Sequence, residues 1–223
     1  MARGILFLIL KDIRLQIRSV DAIAAMFIMG LLVVLIFIFG FGPIITKPAE
    51  VAGVVIWVGL SFSAVIGLSR SFEVEWREEG FRAFRLAGLD PGAIYLGKVV
   101  LNVVMLLLVA LVLVPVTLVF LDVLRPGALV LLGVVIFMGV VGLSAVGGIL
   151  SAVSSQTRGR ESLLSVLLFP LLIPALISAV KCTRALLVGG TLAGAGNWLR
   201  LLGVYDLIFL AAAFLLFEYV IEE

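Results

Sequence analysis

Residues Gly92-Ala-Ile-Tyr-Leu-Gly97-Lys98 set two glycines ahead of a lysine at the spacing of a phosphate-binding loop. Such a loop cradles phosphates on backbone N–H groups and needs Ser or Thr after the lysine to reach magnesium. Val99 stands there instead, and a long apolar run follows where a soluble helix is required. The match is a coincidence of spacing, with Lys98 expected as an anchor where a membrane span begins, so this chain does not hydrolyse ATP. Gly142-Leu-Ser144-Ala-Val146 falls one glycine short of a nucleophile elbow. There is no histidine, which removes the commonest general base and metal ligand and leaves a Ser–Lys dyad as the one way to activate Ser144. A single cysteine, Cys182, permits neither an internal disulfide nor a thiolate metal cluster. A small buried or interfacial side chain is expected of it, and neither a catalytic residue nor a metal ligand is expected anywhere.

The densest cluster of chemistry-bearing residues is Arg70–Lys98, a charged island between long runs of Val, Leu, Ile, Phe, Gly and Ala. Glu73–Arg77 and Glu78–Arg82 are i, i+4 pairs with the acid first, the favourable order on a helix, and Glu75 and Glu79 add charge between them. Phe72 and Trp76 are also four apart, and Phe81 and Phe84 three apart. The spacing predicts a short helix over 72–86 carrying aromatic anchors among ion pairs, weakened at Gly80. Asp90-Pro91 reads as a turn or N-cap before the chain re-enters the membrane. Two readings stay open at this point: a solvated helix on the headgroups, or a plug for a partner's groove, since aromatics and Arg are enriched at binding hot spots.

The elements that must position these residues follow from composition. The 223 residues are 64% hydrophobic and 13% charged, with a net charge of +2 and a mean hydropathy of +1.35. A soluble domain is about half apolar and about a quarter charged, so lipid must solvate this chain, and the charge is too small to suggest nucleic acid. The apolar runs are continuous and close to the roughly 20 residues that cross a bilayer as a helix, unlike the short alternating segments of a β-barrel. An all-α membrane protein is expected, a single transmembrane domain over 1–223 with six spans near 22–42, 51–68, 99–121, 128–153, 163–180 and 201–221. Asp122–Gly127 forms a tight turn and Lys181–Arg200 a longer Gly-rich connection. Residues 3–19 read as an amphipathic helix lying in the membrane interface, with Arg3, Lys11, Arg14 and Arg18 on a basic face. The charges interrupting the apolar region before Ala22-Ile23-Ala24 argue against a cleaved signal peptide.

Lys and Arg fall eleven to one side and five to the other; positive residues favour the cytoplasm, so both termini and the island are expected there. Gly59, Ser63 and Gly67, and again Ser144, Gly148 and Ala152, form stripes of small residues that let helices approach closely. We read both as packing faces, with a dimer contact as the alternative. Pro170 and Pro174 should kink or locally unwind the fifth span, because each removes a backbone donor. Asp206, beside Tyr205, is expected near the outer start of the sixth span, as a solvated interfacial acid or else a carboxylate facing a cavity on a transport path. Lys181, Arg184 and Arg200 run against the positive-inside bias and are expected to bind headgroups, with the carboxylates of a ligand or an acidic partner surface as the alternative.

Taken in order, Val55-Ile56-Trp57-Val58, the island, Arg158-Gly-Arg-Glu161 leading into the double-proline span, and the stretch from Trp198 to Phe209 resemble CcmB, haem exporter protein B, over nearly the whole chain. The family usually has an acidic-Gly-small-Leu-Glu run in the island, where this chain has Glu78-Glu79-Gly80-Phe81-Arg82. The resemblance implies an ABC-2-type permease fold in which Phe72, Glu73, Glu75, Trp76, Arg77, Glu78, Glu79, Phe81 and Arg82 form a coupling helix. It further implies a homodimer with two copies of an ATPase subunit, CcmA, which would bind the ATP. The other implied partners are CcmC, CcmD and the haem chaperone CcmE, with ATP hydrolysis tied either to haem export or to release of haem-loaded chaperone; the complex would handle haem, and whether haem crosses through this chain stays open at this point. Alternatives are an ABC-2 permease for another lipophilic substrate and a stand-alone channel or intramembrane enzyme. If the island is the coupling helix, Trp76→Ala combined with Phe81→Ala abolishes co-purification of the ATPase subunit while membrane insertion is unchanged; undiminished co-purification sinks the assignment.

Overall fold

The computed structural model describes residues 20–71, 90–155, 160–189 and 192–222. The interfacial helix expected over 3–19 and the aromatic and ion-paired cluster of 72–86 lie outside these residues. Six helices long and apolar enough to cross a membrane are present among the described residues: α1 (Val20–Phe41), α2 (Pro48–Ser71), α3 (Pro91–Phe120), α4 (Leu129–Ser155), α5 (Arg160–Leu187) and α6 (Leu192–Glu222). Among the described residues there is no strand. In hydrocarbon every backbone polar group must be satisfied internally, and uninterrupted helices do that within each segment.

Helix ends follow local chemistry. Asp90 caps α3, its Oδ2 accepting from Ala93 N at 3.1 Å, with Pro91 in the first turn, as Asp-Pro leads one to expect. At the other end of α3, Asp122 takes φ 53. Its N–H donates to the Val119 carbonyl at 3.1 Å, and the Val123 N–H to the Leu118 carbonyl at 3.0 Å. That is a Schellman closure, and Leu118 and Val123, the residues it joins, are both buried. The tight turn read from Asp122–Gly127 is therefore a helix stop followed by a short 3-10 turn at Pro126–Ala128.

Helices α2 and α4 form the middle of the bundle: α2 packs on α1, α3, α4 and α5, and α4 on α2, α3, α5 and α6. Both small-residue stripes are packing faces within this chain. An added Cβ at Gly59 would sit 3.2 Å from Val34 Cγ2, and one at Gly67 2.7 Å from Met26 Sδ. Between them the Ser63 hydroxyl donates to the Met26 carbonyl at 2.8 Å. The stripe on α4 faces α3, where Gly148 lies against the Tyr95 ring and the Tyr95 hydroxyl donates to the Ala145 carbonyl at 2.9 Å. Ser151 donates to the Leu68 carbonyl and joins α4 to α2.

Trp57 lies at the crossing of three helices. Its indole N–H, on α2, donates to Thr183 Oγ1 of α5 at 3.0 Å, and its six-membered ring fills the space where Gly139 of α4 lacks a side chain. A methyl group at Gly139 would have to displace that ring. Overpacking of this kind costs about 1–3 kcal/mol, so Gly139→Ala should lower the thermal unfolding midpoint in detergent. Trp57→Phe shortens the ring, and the double variant should lose less stability than the two single losses added together. Additive losses would show that the two residues do not compete for the same space.

Candidate functional site

Three helices bring chemistry-bearing residues together near mid-membrane. The apolar spans run Pro126–Ser154 on α4, Val166–Leu187 on α5 and Gly194–Tyr219 on α6, and Gly142, Pro174 and Asp206 fall near their middles. Asp206 is 7% exposed. Its Oδ1 has no hydrogen-bond partner and would stand 2.5 Å from a Cβ added at Gly142. Glycine at 142 is what leaves room for the carboxyl. A carboxyl group this deep is expensive unless paired, and such residues mark functional positions. Next to it, the Tyr205 hydroxyl donates to the Leu171 carbonyl of α5 at 2.9 Å, and its ring packs on Phe209 with centroids 4.4 Å apart and the planes tilted by 37°.

That hydrogen bond lands where α5 is weakest. Proline at 174 cannot donate to the Pro170 carbonyl, and proline at 170 cannot donate to that of Val166, so two rungs of the helix ladder are missing by covalent structure. Tyr205 adds a donor to the carbonyl beside the first gap, and the Ser178 hydroxyl donates to the Pro174 carbonyl at 2.7 Å. Helix α5 therefore stays α-helical from Arg160 to Leu187, and the local unwinding expected from the prolines is not present. Both prolines are exposed on the outer surface of the bundle, so neither lines a path through the interior of this chain.

The sequence reading misplaced several residues of this region. Lys181–Arg200 is not a long connection: α5 continues to Leu187 and α6 begins at Leu192. Glycine-rich sequence reads as loop by the preferences of water-soluble proteins, but glycine is frequent in membrane helices. Asp206 is consequently fifteenth in its helix, mid-span and buried, not an interfacial acid at the helix start. Lys181 and Arg200 lie within the spans and are exposed. Arg184 is ion-paired, its Nη2 3.0 Å from Glu50 Oε1, with Lys47 3.8 Å from the same oxygen. This pair joins the start of α2 to the end of α5 at the end of the bundle where Arg125 lies against Gly189. Cys182 is fully buried, with Sγ 3.9 Å from the Ala195 carbonyl.

Lys98 is buried two turns inside α3 rather than anchoring its start, and the phosphate-loop pattern around it is continuous helix, with Gly92 against the Phe214 ring. Ser144 is likewise buried in mid-helix, its hydroxyl without a partner. Phe72, Glu73, Glu75, Trp76, Arg77, Glu78, Glu79, Phe81 and Arg82 lie outside the described residues. The residues that sequence reasoning missed are Trp57 with Thr183, Tyr95 with Ala145, and Gly142 opposite Asp206. For the first two, a tryptophan or tyrosine inside an apolar span was a signal, because its polar atom needs a buried partner.

The Tyr205 contact has a measurable consequence. Hydrogen bonds between membrane helices contribute about 0.6 kcal/mol on average and up to about 1.7 kcal/mol, so Tyr205→Phe should cost about 1 kcal/mol of unfolding free energy. Pro174→Ala restores the missing donor to the Pro170 carbonyl, and in that background Tyr205→Phe should cost measurably less. A double-mutant cycle of unfolding in mixed micelles checks this; equal costs in both backgrounds would mean that Tyr205 does not brace the proline segment.

Compared with known families, residues 3–219 match the model of the family described as CcmB protein. No curated protein matches the chain.

Proposed function

The chain belongs to the CcmB family, and from that premise we propose that it converts ATP hydrolysis on a separate subunit into release of a haem-loaded chaperone. As a multi-pass member of that family it is a membrane component of the haem-export, cytochrome c maturation ABC system, and permeases of this family are generally non-catalytic. In the proposed arrangement it sits as a homodimer in the bacterial inner membrane with both termini cytoplasmic, alongside CcmC and CcmD. The segment from Phe72 to Arg82 receives the movement of the ATPase CcmA, and the chaperone CcmE is released on the opposite side. Lys181 and Arg200, exposed on neighbouring helices, are candidates for contact with an acidic chaperone surface, whereas Arg184 is engaged by Glu50.

The observation that carries this reading is the braced double-proline segment of α5 beside the unpartnered Asp206. A helix missing two ladder bonds bends at low cost, and Tyr205 links that bend to α6. Movement entering at the ends of α2 and α3 reaches α5 through Trp57–Thr183, and α6 through the packing of Tyr95 on Phe217 (ring centroids 5.4 Å apart). The mechanical role is favoured over a conduit through the chain because Trp57, Tyr95 and Phe217, the largest fully buried side chains, occupy the interior of the bundle.

The test is a reconstitution of the chain with its ATPase and haem-handling partners in sealed vesicles. Chaperone release should depend on ATP, without haem entering the lumen. Asp206→Asn keeps the shape of the side chain and should slow release while the ATPase still co-purifies. Haem crossing the bilayer would overturn the mechanical reading, and release that is indifferent to ATP would overturn the coupling itself.

A further inference from the structure

Between α3 and α4 lies an open groove of about 470 Å³. The two helices are in close contact at one end, where Tyr95 and Val99 meet Gly148, and the groove lies between that contact and the turn that joins them. Leu107, Leu111 and Pro115 form one wall, Leu129 and Gly133 the other, and buried Leu132 and Ile136 part of the floor. Every residue lining it is apolar. Gly133 keeps it open: a Cβ added there meets nothing within 4 Å.

We propose that this groove is a binding site for one acyl chain of a phospholipid in the leaflet that contains the α3–α4 turn. Length is the first argument. From Val104 to Pro115 the wall extends about 16 Å at 1.5 Å per helical residue, which is about one leaflet of a hydrocarbon core roughly 30 Å thick. A partner helix would need a seam running through the whole bilayer, and this groove stops near its middle. Charge at the mouth is the second argument. Leu129 follows directly on the Pro126–Ala128 turn, and Arg125, exposed immediately before that turn with its guanidinium beside Gly189 of the α5–α6 connection, brings a positive charge to this end of the bundle, at the level where a lipid phosphate would sit. Exposed Asp122 in the same turn suits a headgroup that also carries an ammonium, so phosphatidylethanolamine fits both charges. A chain lying in the groove would cover apolar walls that otherwise meet disordered lipid.

The full chain, purified with its co-purifying partners, is placed in nanodiscs of phosphatidylethanolamine and phosphatidylglycerol. A small fraction of the phosphatidylethanolamine carries a diazirine midway along one acyl chain, and adducts are mapped by mass spectrometry after irradiation. Labelling should concentrate on the segments 104–115 and 129–136, above the level at Val166 and Leu207, which are 70% and 71% exposed on other helices. Gly133→Phe fills the groove from a position with open space around it and should reduce groove labelling to the level at Leu207. Leu111→Trp, from the opposite wall, gives a second filling variant at an exposed position. Arg125→Glu should reduce the labelling as well. Groove labelling in the unaltered chain no higher than at Leu207 overturns the proposal, a comparison that requires no variant to fold. Unchanged labelling in Gly133→Phe also overturns it. So does a disulfide-linked dimer formed by Gly133→Cys in a Cys182→Ser background, because a second copy would then occupy the groove.

Discussion

The indole of Trp57 holds the arrangement on which the other contacts depend. In lipid there is no hydrophobic force drawing one apolar helix to another, so packing and interhelical hydrogen bonds must fix their relative positions. Trp57 contributes both. Its ring takes the place of a side chain at Gly139, setting how close α2 and α4 can come, and its N–H is held by Thr183 on α5. With the spacing of α2, α4 and α5 set in this way, the remaining contacts have little choice. Gly53 lies against the Val180 carbonyl, a Cβ there standing 3.1 Å away, and Gly147 lies against Leu68. Leu68 in turn accepts from Ser151 through its carbonyl. Large side chains of α2 set against glycines of α4, and Gly53 of α2 set against the backbone of α5, therefore act as one fitted set.

The mid-membrane cluster is built on the same logic with the opposite outcome. At Gly139 a missing side chain is filled by a well-partnered aromatic ring, whereas at Gly142, less than a turn further on, the space is taken by a carboxyl oxygen that has no partner. The first contact rigidifies and the second does not. Pro170 and Pro174 remove two ladder bonds from α5 on the helix that Tyr205 grips, so compliance on α5 and an unsatisfied polar group on α6 sit at similar depth. A protein that must change shape on demand gains from having its tightest and loosest contacts on one helix, because the rigid contact defines the axis about which the loose one can shift.

Much of this was legible in the sequence. Six spans, the Asp90 cap, the small-residue stripes and the irrelevance of the phosphate-loop pattern follow from run length, spacing and the missing hydroxyl after Lys98. Family membership was legible too, from the order of the quoted segments. What the sequence hid was depth. The glycines from Gly189 to Gly196 look like a linker, and reading them so moved Asp206 from the middle of the membrane to its edge. Pairings between distant residues were hidden as well. Nothing local says that Trp57 needs Thr183, 126 positions away, or that Glu50 will meet Arg184 rather than only Lys47. Such contacts are fixed by the crossing of helices, which one-dimensional periodicity does not contain.

Helix α4 shows why these features belong to one design. Gly133 and Gly142 are nine residues apart, which at about 100° per residue places them about 180° apart around the helix. One therefore looks into the apolar groove toward α3 while the other looks onto Asp206 of α6. Any displacement of α4 away from the carboxyl narrows the groove, and any displacement toward α6 compresses the unpartnered oxygen against Gly142. An acyl chain seated against Gly133 would resist the first movement, as close packing resists the second, and α4 would be held between a lipid on one side and a buried carboxyl on the other. The lipid is the exchangeable member of that pair. In this arrangement the position of the central helix, and with it the freedom of the proline segment that packs on it, becomes sensitive to the bilayer in which the protein sits.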